Sequence, residues 1–189
     1  MRTGRRCEIE EPADALSCLP GLPRPPRPFR QGSLDSYCGF YAIANAMLRL
    51  KPGAFTQDRD GPQDLQRAMM KAASRICSPE ELIGEGMDGI ELEHVAKAAI
   101  RHMRRKKQVF KLVQPDQLRL GMPRKDAGAW FTAAAASPAV SVILYIEQPD
   151  GSHWSVLKGV KGNRVTLFDS DTMASACLKR CEPWLVFKL

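Results

Sequence analysis

A thiol at Cys38, an imidazole at His153 and two carboxylates at Asp169 and Asp171 have the types and placement for covalent acyl transfer in this 189-residue chain. A cysteine attacks a carbonyl as its thiolate while an adjacent imidazole exchanges the proton. A third group then fixes the imidazole tautomer and stabilises its charged form. Cys38 falls in the first turn of an expected helix, where unsatisfied backbone N–H groups and the positive end of the dipole favour negative sulfur. Taken alone it says little, because free cysteines are often just small buried residues.

The histidine and the carboxylates are linked by hairpin arithmetic. His153 follows the turn Gln148-Pro149-Asp150-Gly151 and opens an expected strand over 154–160, with a further strand expected over 164–168. A three-residue loop at 161–163 pairs Val160 with Arg164, and therefore Ser155 with Asp169. His153 and Asp169 then lie diagonally adjacent on one face. The same register sets Asp171 directly opposite His153, so two carboxylates compete for the orienting role. Gln31, seven residues before Cys38, can bring a side-chain amide beside the Cys38 backbone N–H, the pair forming an oxyanion hole.

The elements that must hold these groups read as follows. Asp35 and Ser36 are N-cap types, and Phe40, Ile43, Ala44, Met47 and Leu48 then form one helical stripe that Lys51-Pro52-Gly53 ends. Ser78-Pro79-Glu80-Glu81 signals a second, short helix with a capping box. A third is expected over 89–104, with Ile90, Val95, Ala98, Ala99 and His102 turned inward. The basic group Arg101, Arg104, Arg105, Lys106 and Lys107 reads as its solvated C-terminal turn rather than a nucleic-acid surface. From Val140 the texture becomes β-branched and aromatic, giving strands over 140–146, 154–160, 164–168 and 184–189, the first three as an antiparallel meander. Helices first and strands second predict an α+β fold of two layers, an N-terminal helical half packed on a C-terminal antiparallel sheet.

Length and composition fit one domain. With 44% hydrophobic and 26% charged residues the chain is globular in character. Residues 19–30 contain five prolines, so residues 1–30 read as a Pro-rich tail or linker and 31–189 as the domain. The most apolar run, residues 130–146, is interrupted by polar residues and proline and is shorter than the roughly 20 residues a spanning helix needs, which argues against membrane insertion. Acids stand near the N-terminus where an export signal would be apolar, so synthesis in the cytoplasm without a signal peptide is the expectation. Six cysteines without a CxxC pair suggest free thiols rather than a zinc site or a disulfide framework. The net charge of +7 favours encounter with acidic surfaces without naming one, and nucleic acid is not the expected partner.

The stretch Gln31-Gly32-Ser33-Leu34-Asp35-Ser36-Tyr37-Cys38-Gly39 before an alanine-rich helix resembles the glutamine-to-cysteine segment of papain-like cysteine peptidases. Gly86-Met87-Asp88-Gly89-Ile90, His153-Trp154-Ser155-Val156 and Leu167-Phe168-Asp169 are similar to the bacteriocin-leader-processing branch of that superfamily. The resemblance covers residues 31–171. It implies a papain-like fold with a cleft between its halves and a cofactor-free thiol hydrolase acting on a peptide or protein. It implies Cys38 as nucleophile, His153 as base and Gln31 as oxyanion residue, and it favours Asp169, sixteen residues beyond His153, as the triad's third member. Gln31 stands one residue further from Cys38 than is usual there. Glutamine deamidation and removal of ubiquitin-like modifiers use the same triad, and a non-catalytic peptide-binding module is the reading from another class. A small basic hydrolase of this type also resembles secreted bacterial effector toxins. That likeness implies delivery into a target cell by a specialised secretion system, and an immunity or inhibitor protein in the producer.

Overall fold

The computed structural model describes residues 26–30, 37–55, 61–118, 126–149, 151–171 and 173–189. Its first helix, α1 (Cys38–Leu50), is buried on nearly every side, beyond the single stripe that its spacing implies. The reason is its position between α2 (Gly61–Ala73) and α4 (Gly89–Arg105) on one hand and the sheet on the other. Phe40, Ile43 and Met47 are at most 3% exposed, and each such side chain stabilises the fold by about 1.5–3 kcal/mol. The N-cap is Tyr37, which provides no side-chain cap. The two expected capping residues, Asp35 and Ser36, lie outside the described residues.

Capping boxes start the next two helices that the sequence signals. Ser78 and Glu81 exchange hydrogen bonds at α3 (Pro79–Gly84), and Asp88 and Glu91 do the same at α4. The inner face of α4 is Leu92, Val95, Ala96, Ala99 and Met103. Ile90, expected inside, is 79% exposed, and Ala98 and His102 are only half-buried. A phase one residue later keeps the buried stripe continuous over four turns, and that continuity overrides the hydrophobicity of one residue in the first turn. Two helices escape the sequence reading. In α2 the stripe Leu65, Met69, Ala72, Ala73 is sparse, and α5 (Ala127–Ala136) is so uniformly apolar that it has no polar face to set a period.

The sheet is six-stranded and antiparallel in the order β1-β6-β2-β3-β4-β5. Its strands are β1 (Lys111–Val113), β2 (Val140–Gln148), β3 (Gly151–Lys161), β4 (Arg164–Leu167), β5 (Ser175–Cys177) and β6 (Cys181–Lys188). The expected meander β2–β3–β4 is present, while β6 crosses back to the far side of β2. Strand β3 begins earlier than the sequence implies, so His153 sits within β3, paired with Ile146, rather than at its opening. The expectation of two layers is corrected to three. Helices α1, α2 and α4 cover one face through Ile143, Val156, Leu185 and Phe187. Helix α5 covers the other, with Trp130 and Phe131 against Val142, Leu144 and Leu157. Strand residues of alternating direction are apolar on both sides, so each face demands a cover.

Two bulges interrupt the ladders. Between Ile143↔Leu185 and Leu144↔Pro183 the extra residue is Trp184, and between Leu157↔Leu167 and Gly159↔Thr166 it is Lys158. The last residues of the Pro-rich segment are tied to the domain. Phe29 pairs its N–H and C=O with the buried Asn45 side chain at 2.7 and 3.3 Å and packs edge-on against Phe55, and Arg30 donates to the Asp171 carbonyl. Among the described residues no helix is long and apolar enough to cross a membrane.

Candidate active site

The β3–β4 connection is a two-residue turn, Gly162-Asn163, and not the expected three-residue loop. Gly162 takes φ +60° and Lys161 pairs with Arg164. That turn alone sets the pairing one residue out of the expected phase. Continued without interruption it would put Asp169 opposite Val156, on the face away from His153. The bulge at Lys158 removes the offset. From Leu157↔Leu167 onward the register is the one the sequence reading anticipates, and the Phe168 N–H donates to the Val156 carbonyl at 2.8 Å.

The result is a short contact between His153 Nε2 and Asp169 Oδ2 at 2.8 Å, with the two side chains only 12% and 3% exposed. The second carboxylate oxygen, Oδ1, accepts the Asp171 backbone N–H at 2.8 Å. Of the two competing carboxylates the structure therefore brings Asp169 to the imidazole, and Asp171 serves Asp169 through its main chain. Ser155, paired on its other side with Leu144, faces Asp169 with a buried Oγ that makes no hydrogen bond of normal geometry.

Cys38 is half-buried at the first position of α1, and its thiol lies near enough to His153 to contribute to the rise in the imidazole pKa. Since Nε2 is taken by Asp169, Nδ1 is the nitrogen left for the thiol. Burial opposes the imidazolium charge, but the hydrogen bond to Asp169 and the nearby Cys38 thiol outweigh it and raise the His153 pKa to about 10. Burial likewise opposes the Asp169 charge, and His153, Ser155 and the Asp171 N–H outweigh it, so that its pKa is lowered. Gln31 lies outside the described residues. The three other predicted groups, Cys38, His153 and Asp169, meet at one end of α1 and β3.

Several supporting residues have no signal of their own in the sequence. A Cβ on Gly39 would come within 2.5 Å of the Met87 methyl and 3.0 Å of a Leu92 methyl, so any larger residue after the thiol would require those side chains to shift. Trp154 donates its indole N–H to the Met87 carbonyl at 2.8 Å, and Trp184 donates to the Gly89 carbonyl at 3.2 Å. The bulge turns Trp184 toward that position, and its ring lies so close that a Cβ on Gly89 would fall 2.0 Å from it. Tyr145, Trp154 and Trp184 stack edge to face in sequence, with ring centres 5.1 and 5.8 Å apart. Together with Met87, Asp88 and Ser152 they line an open cleft of about 570 Å³. The pairing of tryptophans with glycines at 39 and 89 is the signal that could have found this contact.

Cys77, Cys177 and Cys181 are also free. Burial pushes the Cys181 thiol up to about 11, with the neighbouring Cys177 adding to it, and its Sγ donates to the Cys177 carbonyl. Among the described residues no group of three or more His, Cys, Asp or Glu could hold a metal ion. No protein-family model matches the chain, and no curated protein is significantly similar to it.

Proposed function

We propose that this protein is a cysteine hydrolase of papain-like architecture, cleaving an amide bond of a peptide or protein through Cys38, His153 and Asp169. The observation that carries the reading is the imidazole fixed by Asp169 at 2.8 Å on Nε2, with the Cys38 thiol at the start of α1 close enough to raise its pKa. A structural Asp–His pair has no need of a thiol on its free nitrogen. A thiol at a helix start gains from its proton being accepted there.

In the proposed reaction the Cys38 thiolate adds to the substrate carbonyl carbon, and the developing oxyanion takes hydrogen bonds from the Cys38 backbone N–H and the Gln31 amide. The protonated His153 gives its proton to the leaving amine as the C–N bond breaks, leaving a thioester. Neutral His153 then takes a proton from water, the hydroxide adds to the thioester, and collapse releases the carboxylic acid and the thiolate. Asp169 keeps the imidazole oriented and stabilises its charged form. The aromatic-walled cleft beside Gly39 and Trp154 gives the substrate's side chains a place to lie.

The experiment is a comparison of proteome-wide new N-termini after exposure to wild type and to Cys38→Ala. Termini that appear with the wild type and vanish with the variant establish proteolysis and name the substrate. Conversion of glutamine to glutamate without new termini would instead assign deamidation to the same triad. Identical profiles, together with equal and slow iodoacetamide labelling of Cys38 in wild type and His153→Ala, would leave only the peptide-binding module.

A further inference from the structure

Two groups of cations on and beside α2 and α4 have different surroundings. Along one edge Asp64 binds both Arg67 and Lys106, the latter at 2.9 Å, so each cation there has a carboxylate partner. Along the other, Lys71 and Arg75 from α2 and the turn after it face Arg101 and Arg105 from α4 across a concavity of about 330 Å³. Arg101 and Arg105, four residues apart within α4, share one helical face, and Lys71 and Arg75 line the opposite wall. The floor is three alanines, His94 completes the wall, and among the described residues no acidic one lines the cleft.

None of these four side chains makes a hydrogen bond or ion pair with the described residues. Arg101 and Arg105, like charges four apart on α4, repel, and Lys71 and Arg75 across the cleft add to that repulsion. Folding gains nothing from the arrangement, whereas an anion bound in the cleft would meet all four charges at once. Arginine guanidinium groups grip phosphate oxygens through two parallel N–H bonds, and lysine adds a point charge.

We propose that the α2–α4 cleft binds a compact anion bearing two or more phosphate groups. A compact ligand is favoured over a nucleic-acid strand because the cations converge on a single hollow. At its border Arg67 and Lys106 share one carboxylate, Asp64, which offsets part of their charge. The site is independent of the Cys38 chemistry.

Isothermal titration calorimetry of the full chain with sodium tripolyphosphate at physiological ionic strength tests the proposal. Saturable binding of one ligand per chain is expected, weakened about tenfold or more by Lys71→Ala/Arg75→Ala and by Arg101→Ala/Arg105→Ala. Arg67→Ala, which removes a carboxylate-paired cation outside the cleft, should change affinity by less than about twofold. All of these side chains are exposed, and an unchanged melting temperature verifies that each variant folds. No saturable heat, or an Arg67→Ala loss equal to that of the cleft variants, would overturn the proposal in favour of diffuse attraction. Tighter binding per phosphate by a single-stranded oligonucleotide would overturn it in favour of a nucleic-acid surface.

Discussion

The β2–β3 pairing keeps one register from Ile143↔Val156 to Gln148↔Gly151, whereas β3–β4 changes register once, at Lys158. Both pairings share β3, so one strand is read in two ways by its neighbours. Toward β2 it must deliver Trp154 and Val156 to the helical layer and Leu157 to α5, and an unbroken alternation does that. Toward β4 it must also meet a tight turn that fixes the opposite phase. The exposed Lys158 absorbs the mismatch where no side chain is packed. The lesson is that the His153–Asp169 contact depends on the phase of the β3–β4 pairing as much as on either residue.

Deleting residues on either side of that point breaks or sharpens the comparison. Deletion of Ser155, bonded into the unbroken part of β3, forces either His153 or Val156 to the wrong face. It should cost at least about 4 kcal/mol, read as loss of the cooperative urea transition. A folded Ser155 deletion with normal Cys38 labelling would show that register is not what positions the histidine.

Asp169→Asn keeps the backbone and tests the charge, with a cost of about 1–3 kcal/mol expected near neutral pH. The His153 pKa is raised above its unfolded value, so its contribution to stability is full below about pH 6.5 and is lost as pH rises toward about 10. Asp169, with its pKa lowered, contributes above its unfolded value and loses that contribution as pH falls. Urea midpoints should therefore decline between neutral pH and pH 10 in the wild type and decline less steeply over that window in the variant. Parallel declines would remove Asp169 as the cause of the histidine's shift.

The smallest effect belongs to Lys158. Its deletion leaves Leu157↔Leu167 and Gly159↔Thr166 as consecutive pairs of a regular ladder. The Cys38 labelling rate with iodoacetamide should then change by less than about twofold, in contrast to the Ser155 deletion three positions away. A large loss would show that the bulge acts through its added twist and not through phase alone.

The three groups of the site were legible because each is tied to a local rule. Cys38 follows from a helix start, and His153 with Asp169 from counting along a hairpin. The count succeeded with the wrong loop, since a three-residue turn and a two-residue turn plus one bulge give the same phase at Asp169. No residue type near Lys158 marks a bulge, so the distinction lies in tertiary demand, the need for Leu157 and Val160 to face α5 together. Helix α5 was missed because an alanine run carries no period, and with it the third layer. The edge strands Lys111–Val113 and Ser175–Cys177 are too short for a pattern of alternation to register. Ile90 misled because hydrophobicity was read without the phase that Leu92 and Val95 impose.

The two indoles that fasten the start of α4 also give the molecule an optical signature. Trp154 and Trp184 stand 5.8 Å apart at 64° to one another, one fixed to Met87 and the other to Gly89. Chromophores held that near and that far from parallel couple their electronic transitions, so near-ultraviolet circular dichroism reads the seating of α4 on the sheet. Any ligand entering the neighbouring cleft must write itself into that spectrum.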